Sequence, residues 1–71
     1  MKSEIEAYRN SRNLSTGFVV VSPHKVISGW LDELRSPDHF IAGSVATDIY
    51  GKQWLAVGGD LENGAEKWER I

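Results

Sequence analysis

A chain of 71 residues without a single cysteine must be held together by the packing of one small core, because disulfide staples and cysteine zinc sites are closed to it. The material for that core is present. Hydrophobic residues make up 41% of the chain, and three Trp, two Tyr and two Phe supply bulk. Residues 1–71 therefore read as a single domain with no room for a second, and too small for a large enzyme. The longest apolar run, Phe18 to Val21, falls far short of the ~20 residues a membrane helix needs. Met1-Lys2-Ser3-Glu4 does not lead into the apolar stretch of a secretory signal. These features, with the absence of cysteine, predict a soluble protein in a reducing cytoplasm.

Charge is unevenly placed. Residues 1–35 carry Lys2, Arg9, Arg12, Lys25 and Arg35 against Glu4, Glu6, Asp32 and Glu33, whereas residues 36–71 carry six acids against three bases. The halves are therefore close to neutral and acidic, far from the basic footprint that gripping phosphates requires. Direct nucleic-acid binding is not expected, and a protein partner fits the balance better. No repeat or low-complexity tract interrupts the chain.

The local patterns predict an α+β fold. Glu4-Ile-Glu-Ala-Tyr8 alternates with period two, and Asn10 to Gly17 supplies turn residues before the β-branched run Phe18-Val-Val-Val21, which reads as a hairpin. A helix over residues 2–9 is the rival reading, since Glu and Lys favour helices. Ser22 as cap and Pro23 at the first helical position precede Val26, Ile27, Trp30, Leu31 and Leu34, spaced to lie on one helical stripe. Ser36-Pro37 would stop such a helix, and Gly29 within it would cost about 1 kcal/mol relative to alanine. Alternation from His39 to Ile49, a turn at Tyr50-Gly51-Lys52, and Gln53-Trp-Leu-Ala-Val57 predict two more strands. Gly58-Gly59-Asp60 and the hairpin signal Asn63-Gly64 lead to a last strand over residues 65–71. The expected order is ββαβββ: an antiparallel sheet of about five strands with one amphipathic helix on one face. The expected core is Phe18, Val20, Val26, Ile27, Trp30, Leu31, Leu34, Val45 and Leu55, with Phe18 and one of Trp54 or Trp68 meeting Trp30.

A chemical site is harder to find. His24 and His39 are the only histidines and have no metal-ligand spacing. No serine lies in a nucleophile-elbow context, and Gly58-Gly59-Asp60 lacks the Lys and Ser or Thr of a phosphate loop. No cofactor, metal or enzymatic activity is expected. Asp38-His39 reads either as partner contact or as a solvated loop after Pro37. Arg9 and Arg12 flank the first predicted loop and could form a basic rim, the plainer reading being scattered surface charge. One of Trp54 and Leu55 must face away from the helix, because neighbours in a strand point to opposite faces.

Phe40-Ile-Ala-Gly-Ser-Val45, Trp54-Leu55-Ala56 and Lys67-Trp68, with the hairpin and amphipathic helix expected upstream, give the chain a pattern that resembles small phage-encoded anti-CRISPR proteins. The similar protein is a type I-F inhibitor with a five-stranded antiparallel sheet and one helix. The resemblance implies a non-catalytic inhibitor in a bacterial host that binds the RNA-guided surveillance complex through its Cas subunits and blocks target DNA. It also implies a contact surface at the end of the helix and the start of the next strand, which maps here to Arg35, Asp38 and Phe40, with His39 as a neighbouring candidate; beside the resemblance, the basic residues Arg9 and Arg12 are expected to help at the same surface. Ser36-Pro37 departs from that inhibitor, which has no proline there. The protein itself is expected to be a monomer or weak homodimer. The alternative is a small phage or plasmid regulatory protein that associates with DNA or homodimerises.

Overall fold

The computed structural model describes residues 2–34, 37–60 and 62–71. It is an α+β fold in which one α-helix, α1 (Lys2–Arg12), precedes five strands. These are β1 (Phe18–Val21), β2 (Ile27–Leu31), β3 (Val45–Thr47), β4 (Gln53–Val57) and β5 (Lys67–Arg70), with a 3-10 turn at Pro37–His39 between β2 and β3. The five strands form one antiparallel sheet in the order β2-β1-β3-β4-β5. The expected class, strand number and single helix hold, and the last three strands form a meander. The helix, however, stands at a different place in the chain.

The strand expected over residues 4–8 is part of α1. Five residues of alternation are outweighed by helix-favouring Glu, Ala, Lys and Arg, with Glu4 in the first turn and Arg9 and Arg12 in the last, where each charge suits the helix dipole. The helix ends in a Schellman motif. Leu14 N–H donates to Arg9 O (2.9 Å) and Asn13 N–H to Asn10 O (3.4 Å), with Asn13 at a φ of 56° in the left-handed cap position.

Of the helix expected from Ser22 to Ser36, residues 22–31 form instead a hairpin turn followed by β2, and Arg35 and Ser36 lie outside the described residues. Ser-Pro is a signal shared by helix starts and type I turns, and here the turn prevails. Lys25 N–H donates to Ser22 O (2.9 Å) and Ser22 N–H to Val26 O (2.8 Å), while Lys25 takes a φ of 67° as the last residue of the turn. The Ser22 hydroxyl accepts from the N–H groups of His24 (3.3 Å) and Val26 (3.4 Å). A partner strand is thus delivered directly to Val19 and Val20, and Ile27 and Trp30, β-branched and aromatic, suit an extended backbone, whereas Gly29 is unfavourable in helix and strand interiors alike. Val26, expected in the core, is 61% exposed at this turn. Val26→Asp should therefore move the unfolding free energy by no more than about 0.5 kcal/mol, the range for surface sites, whereas a helix core position would lose several. Chemical denaturation followed by circular dichroism distinguishes the two.

The strand expected from His39 onward is also shorter. Only Val45–Thr47 pair, and the segment before them forms the 3-10 turn and a tight bend at Gly43.

Residues that share a face follow from the pairing. Val19 opposes Trp30 and Thr47, and Val21 opposes Val45, itself opposite Leu55. On the other face Phe18 opposes Leu31, Val20 opposes Ala46, Ala46 opposes Trp54 and Ala56 opposes Trp68. The core is small and central: Val19 and Val20 are fully buried, one per face, with Val21, Ala46, Ala56 and Ala65 around them. Burying each of the two valines contributes about 1.5–3 kcal/mol. Of the expected core, Val20 is buried, and Phe18, Ile27, Trp30, Leu31, Leu34, Val45 and Leu55 are half-buried. Trp30 lies on the face away from Phe18, and its indole N–H donates to Thr16 O (2.8 Å). Phe18 meets Trp54 instead, edge to face at 5.2 Å.

Candidate functional site

The two faces differ in what covers them. On the side of the Val21–Val45 face stands α1, separated from the sheet by an open groove of about 920 Å³ lined by Ile5, Leu14, Val21, Val45, Arg9 and Asp48, among others. The guanidinium of Arg9 ties helix to sheet. It donates to Thr16 O (2.9 Å), Gly17 O (2.9 Å) and Thr47 O (3.0 Å), and more loosely to Leu14 O (3.4 Å). Its fork reaches carbonyls on two sides, which a lysine ammonium does less well. Arg12 is exposed, and its guanidinium sits 4.2 Å above the Tyr8 ring on the same helix. Tyr8 is therefore a helix residue and not part of an open sheet face.

The opposite face is aromatic. Phe18, Trp54 and Trp68 share it, each half-buried, and Arg70 lies over the Trp54 ring at 5.3 Å. This answers the expectation for strand β4: Leu55 faces the helix side and Trp54 faces away.

The link from β2 to β3 reaches β5 before returning to β3, and it brings the Pro37–His39 turn against that strand. Phe40 N–H closes the turn on Pro37 O (3.0 Å), and Phe40 O accepts from Ala65 N–H (2.9 Å). The Phe40 ring packs on Trp68 with centroids 5.9 Å apart and planes tilted by 52°. Asp38 and His39 stand exposed on this anchored turn. The indole N–H of Trp68 is buried with no hydrogen-bond partner among the described residues, an uncommon and costly arrangement.

Gly64 makes the close approach possible. At a φ of 81° it lies so near the turn that a Cβ would stand 2.0 Å from Asp38 O. The loop that presents Gly64 is organised by Asp60, whose carboxylate accepts from the backbone N–H of Asn63 (2.6 Å) and Glu62 (3.0 Å) and from the Asn63 side chain (3.2 Å). The bonds from Asn63, backbone first, hold the Asp60 carboxyl below its ordinary value. A depressed folded-state pKa adds stability above the unfolded value, and that increment is lost as pH falls through the folded value. Asp60→Asn is therefore expected to flatten the fall of Tm on acidification, read by thermal scans from about pH 7 to pH 2.

The six residues expected at a partner surface thus fall into two sets. Asp38, His39 and Phe40 sit together beside β5, whereas Arg9 and Arg12 belong to α1 on the other side of the sheet. No hydrogen bond or ring contact joins the sets among the described residues. Arg35 lies outside the described residues. Trp68, Trp54 and Gly64 were not read as site residues from the sequence. The Lys67-Trp68 pair was the available signal for the first, but its value depends on Phe40 arriving from a distant segment.

The described residues contain no group of three or more His, Asp or Glu side chains placed to hold a metal ion, and no helix among them is long and apolar enough to cross a membrane. Fold and site define a small α+β protein with a groove between helix and sheet on one side and an aromatic face bearing an anchored, polar turn on the other. No family model, curated protein or solved structure matches the chain.

Proposed function

We propose that this protein acts by binding another protein through the turn at Pro37–His39, Phe40 and the Trp68 side of the sheet. The observation that carries the reading is the pairing of Phe40 with Trp68 beneath exposed Asp38 and His39. An aromatic base rimmed by an exposed carboxylate and an exposed imidazole is the kind of composition found at a small interface centre.

The specific partner we propose is a type I CRISPR surveillance complex in a bacterial cytoplasm, with the protein acting as a stoichiometric, non-enzymatic inhibitor of target DNA binding. Two features support it. Of the segments that carry the anti-CRISPR resemblance, Trp54-Leu55-Ala56 lies in β4 and Lys67-Trp68 in the neighbouring β5, while Phe40–Val45 leads into β3 with only Val45 in the strand. The overall acidic charge suits a protein target better than direct DNA contact. Among the described residues no α-helix stands between β1 and Asp38, and the anchored 3-10 turn takes its place as the presenting element in this reading.

The test mixes purified protein with type I surveillance complexes and follows target-DNA binding by gel shift. Saturating protein is expected to abolish the shift. Asp38→Lys and His39→Glu should leave Tm nearly unchanged and weaken inhibition about tenfold, equivalent to about 1.4 kcal/mol. Undiminished DNA binding across the type I subtypes would refute the inhibitor reading, and salt-sensitive binding of the protein to free DNA would favour the DNA-associated alternative.

A further inference from the structure

Asn63 is the one asparagine of the sequence that precedes a glycine. Asparagine is a thermolabile residue, because the backbone nitrogen of the next residue can attack its carboxamide, and glycine, which has no Cβ, hinders that approach least. In that reaction Gly64 N bonds to Asn63 Cγ, the Cγ–Nδ2 bond breaks, and ammonia leaves with the proton of Gly64 N. Water then opens the succinimide ring at either carbonyl. The product at position 63 is an aspartyl residue or an isoaspartyl one, whose main chain is longer by a methylene.

The fold engages both reacting groups elsewhere. Gly64 N–H, the attacking nitrogen, donates to Asp60 O (2.8 Å), and Gly64 O accepts from Asp60 N–H (3.2 Å). The Asn63 carboxamide, the group that must be attacked, donates from Nδ2 to Asp60 Oδ2 (3.2 Å), while the Asn63 N–H donates to Asp60 Oδ1 (2.6 Å). One residue, Asp60, therefore holds the nucleophile with its backbone and the leaving group with its side chain. Gly64 is also buried beneath the Pro37–His39 turn, with its φ held at 81°. A buried N–H that already donates has no water beside it to take its proton, so these bonds must break before the ring can close.

We infer that Asn63 is a latent modification site: Asp60 and the Pro37–His39 turn suppress its deamidation in the folded chain, and deamidation, once it has occurred in an opened molecule, releases the turn. The second half follows from the product. A carboxylate at position 63 replaces the Nδ2 donor with a second negative charge at hydrogen-bond distance from Asp60 Oδ2. The isoaspartyl form also lengthens the chain directly before Gly64, where a Cβ would already lie 2.0 Å from Asp38 O. The Ala65 N–H to Phe40 O bond and the Phe40–Trp68 contact depend on the same close approach. The chemistry needs no partner molecule, so it stands or falls separately from the proposed protein binding.

The test incubates the full chain at neutral pH, folded in buffer or unfolded in urea, and follows conversion at position 63 by peptide mass spectrometry with isoaspartate detection. Conversion is expected to be slower in the folded chain by about tenfold or more. Asp60→Ala, checked for folding by circular dichroism, should raise the rate in buffer several-fold, because it removes both carboxylate bonds to Asn63. Asn63→Asp, which copies one product, should lower Tm by about 4 °C or more. Equal rates in buffer and urea, a folded Asp60→Ala chain that converts no faster than the parent, or an unchanged Tm for Asn63→Asp would each overturn the inference. If Asp60→Ala does not fold, the parent with and without urea and the Tm of Asn63→Asp still decide it.

Discussion

Gly64→Ala is expected to lower the stability of the protein by about 3–5 kcal/mol, among the largest effects a single methyl group can have. Two costs combine. A residue with a Cβ at a φ of 81° pays about 1–2 kcal/mol for the left-handed backbone. The new Cβ also stands 2.0 Å from Asp38 O and 2.6 Å from its carbonyl carbon, which are backbone atoms that cannot rotate aside. Relief requires the turn at Pro37–His39 to move off the loop, which puts at risk the Ala65 N–H to Phe40 O bond and the Phe40–Trp68 contact. Gly51→Ala is the control. Gly51 has a similar φ of 85°, yet its Cβ would meet nothing within 4 Å, so that variant should show the backbone cost alone. Urea denaturation of the two variants measures the difference. Equal losses would mean that the turn is not clamped by this glycine.

Arg9→Leu is expected to cost about 2–4 kcal/mol, because it retains the apolar stem and removes every donor in the fork. Thr16 O, Gly17 O and Thr47 O would lose a charged partner together. The carbonyl of Gly17 sits where the chain passes the Trp30 ring, and a Cβ on Gly17 would lie 2.5 Å from that ring, so slack there reaches β2 as well. Arg9→Lys should recover only part of the loss, since one ammonium cannot span carbonyls on two sides. Thermal unfolding of the three forms gives the ranking; a lysine variant as stable as the parent would show that charge alone, without the fork, holds α1 to the sheet. Arg12, exposed on the same helix turn, has no such internal bonds to the sheet, so Arg12→Ala should change stability by less than about 0.5 kcal/mol in the same measurement.

Some of this architecture could be read residue by residue. The β-branched run of β1, the turn at Tyr50-Gly51-Lys52 and the final hairpin signal carry their conformations locally. Gly51 takes positive φ, and the Asp48 carboxylate accepts from the N–H groups of Tyr50 and Lys52 at 2.9 and 2.8 Å. These contacts span at most four residues and need nothing from the rest of the chain. The two misplaced elements failed for one reason. Glu4 to Tyr8 and Ser22 to Leu34 each carry patterns compatible with both helix and strand, and local preference in such segments amounts to a fraction of a kcal/mol per residue. The candidate site was legible in part. Asp38, His39 and Phe40 stood out through the proline before them and the mixture of charge and ring, whereas Trp68 and Gly64 gained meaning only when the link from β2 crossed to β5.

Composition and local pattern were enough to indicate the α+β class, an antiparallel sheet of about five strands with one helix, and the positions of β1, β4, β5 and several turns, because those properties depend on residue types and near neighbours. The tertiary structure decided which ambiguous segment became the helix. Val19 and Val20 lie fully buried in a central strand whose N–H and C=O groups need partners on both sides, and β2 supplies one side while β3 supplies the other. Had residues 22–34 remained helical, one row of those groups would have lost its strand partner. Satisfying it outweighs the helical spacing of Val26, Ile27, Trp30, Leu31 and Leu34, and it is a property of the assembled sheet that no window of sequence contains.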